Sequence, residues 1–214
     1  MTRRDAWLLI EATLLFVGMP ILFAARITPI PIIPAMMAIS IPCLIYLAIS
    51  PSFSVKRSFN LDRLRYHARP IFGTFLWLAP LMVAILASLE PDYLFILPRE
   101  KTLLWVVIMC FYPFVSVLPQ TIIWRAFLLH RYRRLIGGGW PAVVFATLAF
   151  SFAHIYFLNA VALLVTAVGG LLFILSYRRT GSIAVSAFEH ALYGCWAFSV
   201  GYGRFLYGGT VPAG

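Results

Sequence analysis

The sequence predicts an all-α fold: a polytopic bundle of about seven to eight transmembrane helices forming a single integral membrane domain over residues 1–214. Two observations support this prediction. Hydrophobic residues make up 62% of the chain and charged residues only 11%, a composition that would leave large apolar patches exposed on a water-soluble protein. The apolar residues also fall in runs of about 20, the length that a helix needs to cross a bilayer.

Each predicted membrane helix corresponds to one apolar run. Apolar residues continue after the fourth run as far as Ile136, and the combined segment is too long for one straight crossing. Pro113 and Pro119 allow either one kinked helix or a break that creates an eighth helix. In chain order the runs are Trp7–Ala25, Pro29–Ile49, Pro70–Leu89, Lys101–Pro119, Trp140–Phe157, Asn159–Tyr177 and Ser182–Tyr202, and the apolar segment Gln120–Ile136, which carries Arg125, lies between the fourth and fifth runs.

The basic residues lie in short segments between the apolar runs. The chain has 17 Lys and Arg against seven Asp and Glu, for a net charge of +10. If the fourth run crosses once, most basic residues fall on one side, which the positive-inside rule assigns to the cytoplasm. We therefore predict seven spans in a bacterial cytoplasmic membrane, with a cytoplasmic N-terminus and the C-terminus outside.

The longest polar stretch is Pro51–Arg69. Its mixture of basic and apolar residues suits either an amphipathic helix on the anionic inner leaflet of the bilayer or a plain solvated loop. Because the basic residues of the chain lie in loops and form no continuous stripe, we expect no nucleic-acid partner.

A few ionisable side chains fall inside the predicted spans, where they are costly and therefore mark candidate functional positions. They are Glu11, Arg125, His154, Glu189 and His190. Rough depths along the helices put Gln120, His154 and His190 at similar levels, which predicts one polar centre. The alternative is that each histidine only hydrogen-bonds a neighbouring helix. Arg125 is expected to pair with Glu189 or Glu11, and Glu189 could instead act as a general base.

Three short motifs follow one another in the second half of the chain. They are PQTIIWR at residues 119–125, FSFAH at 150–154 and HALYG at 190–194. In this order they resemble the three motifs of the CPBP intramembrane proteases, a family of CAAX proteases, bacteriocin-processing and Abi-type enzymes. Those motifs are Glu-Glu-x-x-x-Arg, Phe-x-x-x-His and His-x-x-x-Asn. The motif-bearing half spans about residues 101–207.

The resemblance implies a CPBP-like helical fold and an intramembrane endopeptidase that hydrolyses membrane-associated proteins or peptides. In the family, a glutamate and the second-motif histidine are thought to activate water, while the third motif stabilises the oxyanion. Carried over to this sequence, His154 would position or deprotonate the water and His190 would donate to the oxyanion.

The match departs from the family pattern at three positions. Gln120 and Thr121 stand where the two glutamates are expected, and a glutamine side chain cannot accept a proton from water at neutral pH. Gly194 replaces the asparagine, although the neighbouring Tyr193 could supply a hydroxyl. The resemblance therefore predicts either a peptidase with impaired catalysis or an inactive pseudoprotease that binds membrane peptides or partner proteins.

Two further alternatives are open. A small transporter would use Arg125, His154 and Glu189 along a substrate path, but the sequence has no inverted repeat to support it. No cofactor is expected. Zinc bound by His154, His190 and one carboxylate is an alternative without a short-spaced ligand signature.

Overall fold

The structure is a computed structural model that describes residues 2–206, and every regular element in this part of the chain is a helix. The predicted all-α fold is thus confirmed. The predicted end of the motif-bearing half near Tyr207 and the C-terminus lie outside the described residues. The seven long helices are α1 (Arg3–Ala24), α2 (Ile32–Ile49), α3 (Leu61–Leu89), α4 (Thr102–Arg131), α5 (Trp140–Phe157), α6 (Ala160–Thr180) and α7 (Ile183–Val200).

Short helices connect or extend these seven. They span Val55–Ser58, Ile96–Glu100, Arg133–Ile136 and Gly203–Leu206, and a 3₁₀ turn at Pro91–Tyr93 follows α3. Most of the polar stretch 51–69 is therefore helical, and it leads directly into α3. The solvated-loop alternative for this stretch is not what the structure adopts.

Six helices within residues 2–206 are long and apolar enough to cross a membrane, namely α1 to α6 with the short helix Val55–Ser58 counted as part of α3. The seventh predicted span corresponds to α7, which is not among the six because Glu189 and His190 lower its apolarity. It packs against α3, α4 and α6. The most polar of the predicted spans is thus placed inside the bundle.

The fourth run forms α4, one continuous helix of 30 residues, as expected for the alternative without a break into two helices. Two π-helical turns interrupt its regular pitch, at Pro113–Val117 and Ile122–Phe127. A proline has no N–H to donate to the preceding turn. The first π-helical turn, which begins at Pro113, therefore falls where the hydrogen bonds along the helix are already weakened. Such turns are common at functional sites, and Gln120 lies between these two.

The turn between α6 and α7 is tight because each helix end has its own stop or start signal. Gly181 ends α6 with a left-handed backbone, φ 60°, which a residue without a Cβ adopts at little cost. Ser182 then caps α7, with its hydroxyl accepting a hydrogen bond from the Val185 N–H. The short turn holds α6 and α7 side by side as antiparallel neighbours.

Polar contacts gather the basic loops at one end of the bundle. Arg134 pairs with Asp5 at 2.6 Å, Arg178 donates to the Gly139 carbonyl at 3.1 Å, and Arg63 donates to the Thr180 carbonyl. At the opposite end Arg204 pairs with Glu90 at 2.9 Å. The segments that the charge pattern assigned to one side of the membrane therefore do lie together.

Glu11 joins α1 to the end of α4. Its carboxylate accepts two hydrogen bonds from Arg131, at 3.0 and 2.7 Å, and one from the Tyr132 hydroxyl at 2.8 Å. The alternative in which Glu11 pairs with Arg125 is therefore wrong. The physical reason is position, because Glu11 lies level with the last turn of α4 and Arg125 is more than a turn deeper.

Replacing Glu11 with Gln is expected to lower the free energy of unfolding by about 1 to 3 kcal/mol, because hydrogen bonds to a charged acceptor are lost while Arg131 stays half-buried. Unfolding in mixed detergent micelles measures this change. Glu90→Gln is the control, since the Arg204–Glu90 pair is more exposed and worth less. Equal losses in the two variants would contradict the prediction.

Candidate functional site

The ring of Phe150, on α5, is the common contact of the predicted polar centre. The Arg125 guanidinium carbon lies 3.9 Å from the centroid of this ring. The His154 and His190 rings lie 4.8 and 5.5 Å from the same centroid. The structure thus brings together three of the residues that the sequence singled out, from α4, α5 and α7.

Arg125 is only 1% exposed, and aromatic faces take the place of the expected acid. Its guanidinium lies over Phe150 and also 5.3 Å from the Phe173 ring, while Nη1 donates to the Gln120 carbonyl at 3.5 Å. The ion pairs between described residues all involve other arginines, so the predicted pair with Glu189 is not observed. Cation–π contacts are favourable where water is excluded, which explains how the charge is accommodated.

Two glycines on α6 let these rings lie close to the helix. A Cβ atom built on Gly170 would lie 2.9 Å from Cδ1 of Phe150, and one on Gly169 would lie 3.1 Å from the Phe173 ring. Small residues allow close approach of helices inside a membrane bundle. Gly170 in particular sets how deeply Phe150 can reach between α5 and α6.

His154 lies where α5 tightens into a 3₁₀ turn. Its Nδ1 is 2.8 Å from the carbonyl oxygen of Phe150. Because a carbonyl oxygen can only accept, Nδ1 carries the hydrogen and Nε2 has a free lone pair. This tautomer leaves His154 able to accept a proton.

His190 is buried and stacks on Phe173, with ring centroids 4.5 Å apart. Its Nε2 lies 3.4 Å from the hydroxyl oxygen of Tyr112 on α4. Sequence reasoning missed Tyr112, since a tyrosine in an apolar run is unremarkable until its neighbours are known. It also missed Ser116, one turn later, which accepts a hydrogen bond from the Gln120 side chain at 2.8 Å.

The two residues in place of the family's glutamates have different surroundings. Gln120 lines the cavities described below, and its side-chain Oε1 has no hydrogen-bond partner among the described residues. Thr121 is fully buried, lines neither cavity and donates its hydroxyl hydrogen to the Val117 carbonyl at 2.9 Å. Glu189 is 4% exposed and also lines neither cavity. Gln120, His154 and His190 therefore face open space, whereas Thr121, Arg125 and Glu189 lie behind them.

Two apolar cavities meet at this polar centre. One, of about 470 Å³, lies among α3, α6 and α7, and the other, of about 620 Å³, lies among α1, α2 and α4. All seven acidic side chains of the sequence belong to the described residues, and none lines either cavity. The polar residues common to both walls are Tyr112, Ser116, Gln120 and His154.

The described part of the chain also has no group of side chains suited to hold a metal ion. Among residues 2–206 no three His, Cys, Asp or Glu side chains cluster closely enough to hold one. The zinc alternative requires a third ligand beside His154 and His190, and these residues do not provide it.

Gly170→Ala is expected to lower the free energy of unfolding by about 1 to 3 kcal/mol, because the new methyl group must displace the Phe150 ring from Arg125 and the histidines. Gly73→Ala is the matched control. A Cβ there meets nothing within 4 Å, so improved helix propensity should leave stability equal or slightly higher. Detergent unfolding of both variants tests this difference, and similar behaviour would mean that Phe150 is free to move.

Comparison with known proteins gives one match. No curated protein sequence and no solved structure matches the chain. A family model described as type II CAAX prenyl endopeptidase Rce1-like matches residues 100–196. This segment contains the three motifs and the residues Gln120, Thr121, Arg125, His154, Glu189 and His190. The resemblance noted from the motifs is confirmed: residues 100–196 are similar to a Rce1-like type II CAAX prenyl endopeptidase domain, which is consistent with a CPBP family intramembrane protease.

Proposed function

We propose that the protein is an intramembrane endopeptidase of the CPBP type that hydrolyses peptide bonds of membrane-associated proteins or peptides. One observation carries the proposal. His154, with a free Nε2 lone pair, lies with Gln120 at the junction of two apolar cavities, and His190 lines the first of them. The Rce1-like match over the same residues supports this class of activity.

The proposed chemistry uses no cofactor. The Gln120 Oε1 accepts a hydrogen bond from a water molecule and orients it, while His154 Nε2 takes a proton from that water as its oxygen attacks the peptide carbonyl carbon. The π-electron pair of the carbonyl moves to its oxygen, which accepts a hydrogen bond from His190. When the C–N bond breaks, His154 returns the proton to the leaving nitrogen.

Turnover is expected to be slow. In this mechanism a carboxylate would be the stronger proton acceptor beside the water, and none of the seven acidic side chains lines the cavities. The same observation favours a second candidate function: a pseudoprotease that holds membrane peptides or partner proteins in these cavities without cutting them.

The proposed setting is a bacterial cytoplasmic membrane with the N-terminus in the cytoplasm. The basic segments gathered at one end of the bundle favour this orientation, because that end would face the cytoplasm and the anionic inner leaflet. The substrate would reach the site from within the bilayer. A nucleic-acid partner is not proposed.

A cleavage assay in proteoliposomes with a panel of single-pass membrane peptides tests the proposal. We expect slow cleavage by the wild-type chain and a loss of roughly 100-fold or more in His154→Gln, which keeps a polar side chain but cannot take the proton. Gln120→Glu places a carboxyl in the cavity and should raise the rate at least about 10-fold. Mass spectrometry of the newly formed peptide ends provides the measurement.

Thr121→Glu is the matched control, because it adds the same carboxyl at a position that lines neither cavity. It should not raise the rate. Peptide binding without cleavage in the wild type, with cleavage restored by Gln120→Glu, would identify the pseudoprotease. If neither the wild type nor Gln120→Glu cleaves any peptide of the panel, the endopeptidase proposal is wrong.

A further inference from the structure

Tyr112 lies where the two cavities and His190 meet. It belongs to α4, two turns before Gln120, and it lines both cavities. Its hydroxyl oxygen is 3.4 Å from His190 Nε2, and the two rings are perpendicular, with an interplanar angle of 89°. The phenol thus presents a polar group at the wall of the proposed reaction site.

The ring of Tyr112 fills the space beside Gly194. A Cβ atom built on Gly194 would collide with the hydroxyl oxygen and would lie 2.5 and 2.8 Å from Cε1 and Cζ of this ring. Gly194 lies in the interior of α7 with no backbone geometry that requires glycine, so its helical cost of about 1 kcal/mol needs another reason. The reason is the close approach of Tyr112.

The same position is where the third motif of the resembling family has its asparagine. In this chain a side chain at residue 194 is excluded, and the Tyr112 hydroxyl occupies the place such a side chain would take. Since the polar group now comes from α4 instead of α7, its source is not visible in the motif itself.

We propose that the Tyr112 hydroxyl and His190 Nε2–H together donate to the carbonyl oxygen of the peptide bond being cleaved. Two donor atoms 3.4 Å apart can both reach one oxygen placed about 2.8 Å from each. The hydroxyl keeps its proton throughout and only strengthens its hydrogen bond as the oxygen gains negative charge. This role has meaning only in a peptidase and therefore rests on the proposed function.

Tyr193, the hydroxyl that the sequence suggested, is in a different place. Its ring packs against Phe75 and Phe173, with centroids 5.3 and 6.1 Å apart. It lines only the first cavity, whereas Tyr112 lies at the junction. The geometry therefore favours Tyr112 as the second donor.

Tyr112→Phe keeps the ring against Gly194 and removes only the hydroxyl. We expect kcat for a cleaved membrane peptide to fall roughly 100- to 1,000-fold with KM nearly unchanged, as for the loss of one oxyanion donor. The detergent melting temperature should not change. Tyr177→Phe is the control, since it removes a buried hydroxyl on α6 that lines neither cavity. Full kcat in Tyr112→Phe overturns the assignment.

A binding measurement separates this proposal from the proposed function. The probe is a phosphinic peptide, in which a tetrahedral phosphinate replaces the amide of a membrane peptide. The wild type should bind it at least about 100-fold more tightly than the parent amide. Tyr112→Phe should lose most of that preference while binding the parent equally well.

The possible outcomes are distinct. If the wild type has no preference for the phosphinate, the peptidase function is wrong. A full preference retained by Tyr112→Phe rejects only the role of Tyr112. A preference that is lost in Tyr193→Phe, but retained in Tyr112→Phe, assigns the donor to Tyr193 and likewise overturns the proposal.

Discussion

The buried guanidinium of Arg125 is the constraint on which the rest of the centre depends. A cation inside a helical bundle has to be stabilised by its surroundings, and no carboxylate among the described residues forms an ion pair with it. The faces of Phe150 and Phe173 provide that stabilisation. Because Phe150 also contacts both histidines, the interaction that accommodates the charge fixes the relative positions of Arg125, His154 and His190 as well.

One acidic residue could both pair with Arg125 and accept a proton from water. In this chain, different residues are available for these two roles. Arg125 lies behind the cavity wall and, through the rings of Phe150 and Phe173, holds α4, α5 and α6 together, while Gln120 and His154 face the cavities. The proposed proton acceptor is then an imidazole whose tautomer is fixed by the carbonyl of Phe150. Phe150 thus contacts the Arg125 cation through its ring, accepts the hydrogen bond of His154 through its carbonyl, and takes part in the packing of α5 against α6.

The fold was predictable in most respects because bilayer thickness and the cost of buried charge leave few alternatives. The continuity of α4 agrees with the choice made from charge bias, and the convergence of His154 and His190 agrees with their similar depths. Adjacent helix residues point about 100° apart, which is why His190 lines the first cavity whereas its neighbour Glu189 lines neither.

The partners of the buried groups were not predictable in the same way. Hydropathy places a residue along a helix but does not specify which neighbour its side chain meets, so the expected acid partner of Arg125 was wrong. Tyr112 gave no signal, since its importance comes from the absence of a side chain at Gly194 on another helix. The number of helices apolar enough to span a membrane also differs from the seven predicted, since α7, which carries Glu189 and His190, is not among the six found in residues 2–206.

The second cavity has walls from two different parts of the chain. The wall at the polar centre comes from residues 100–196, the segment with the family match. The opposite wall is formed by Met19, Phe23, Met36 and their neighbours on α1 and α2. Substitutions in these first two helices can therefore reshape what fits beside the polar centre without touching any group that would carry out chemistry. In the proposed peptidase, substrate selectivity is thus encoded apart from reactivity, and the two are free to diverge at different rates.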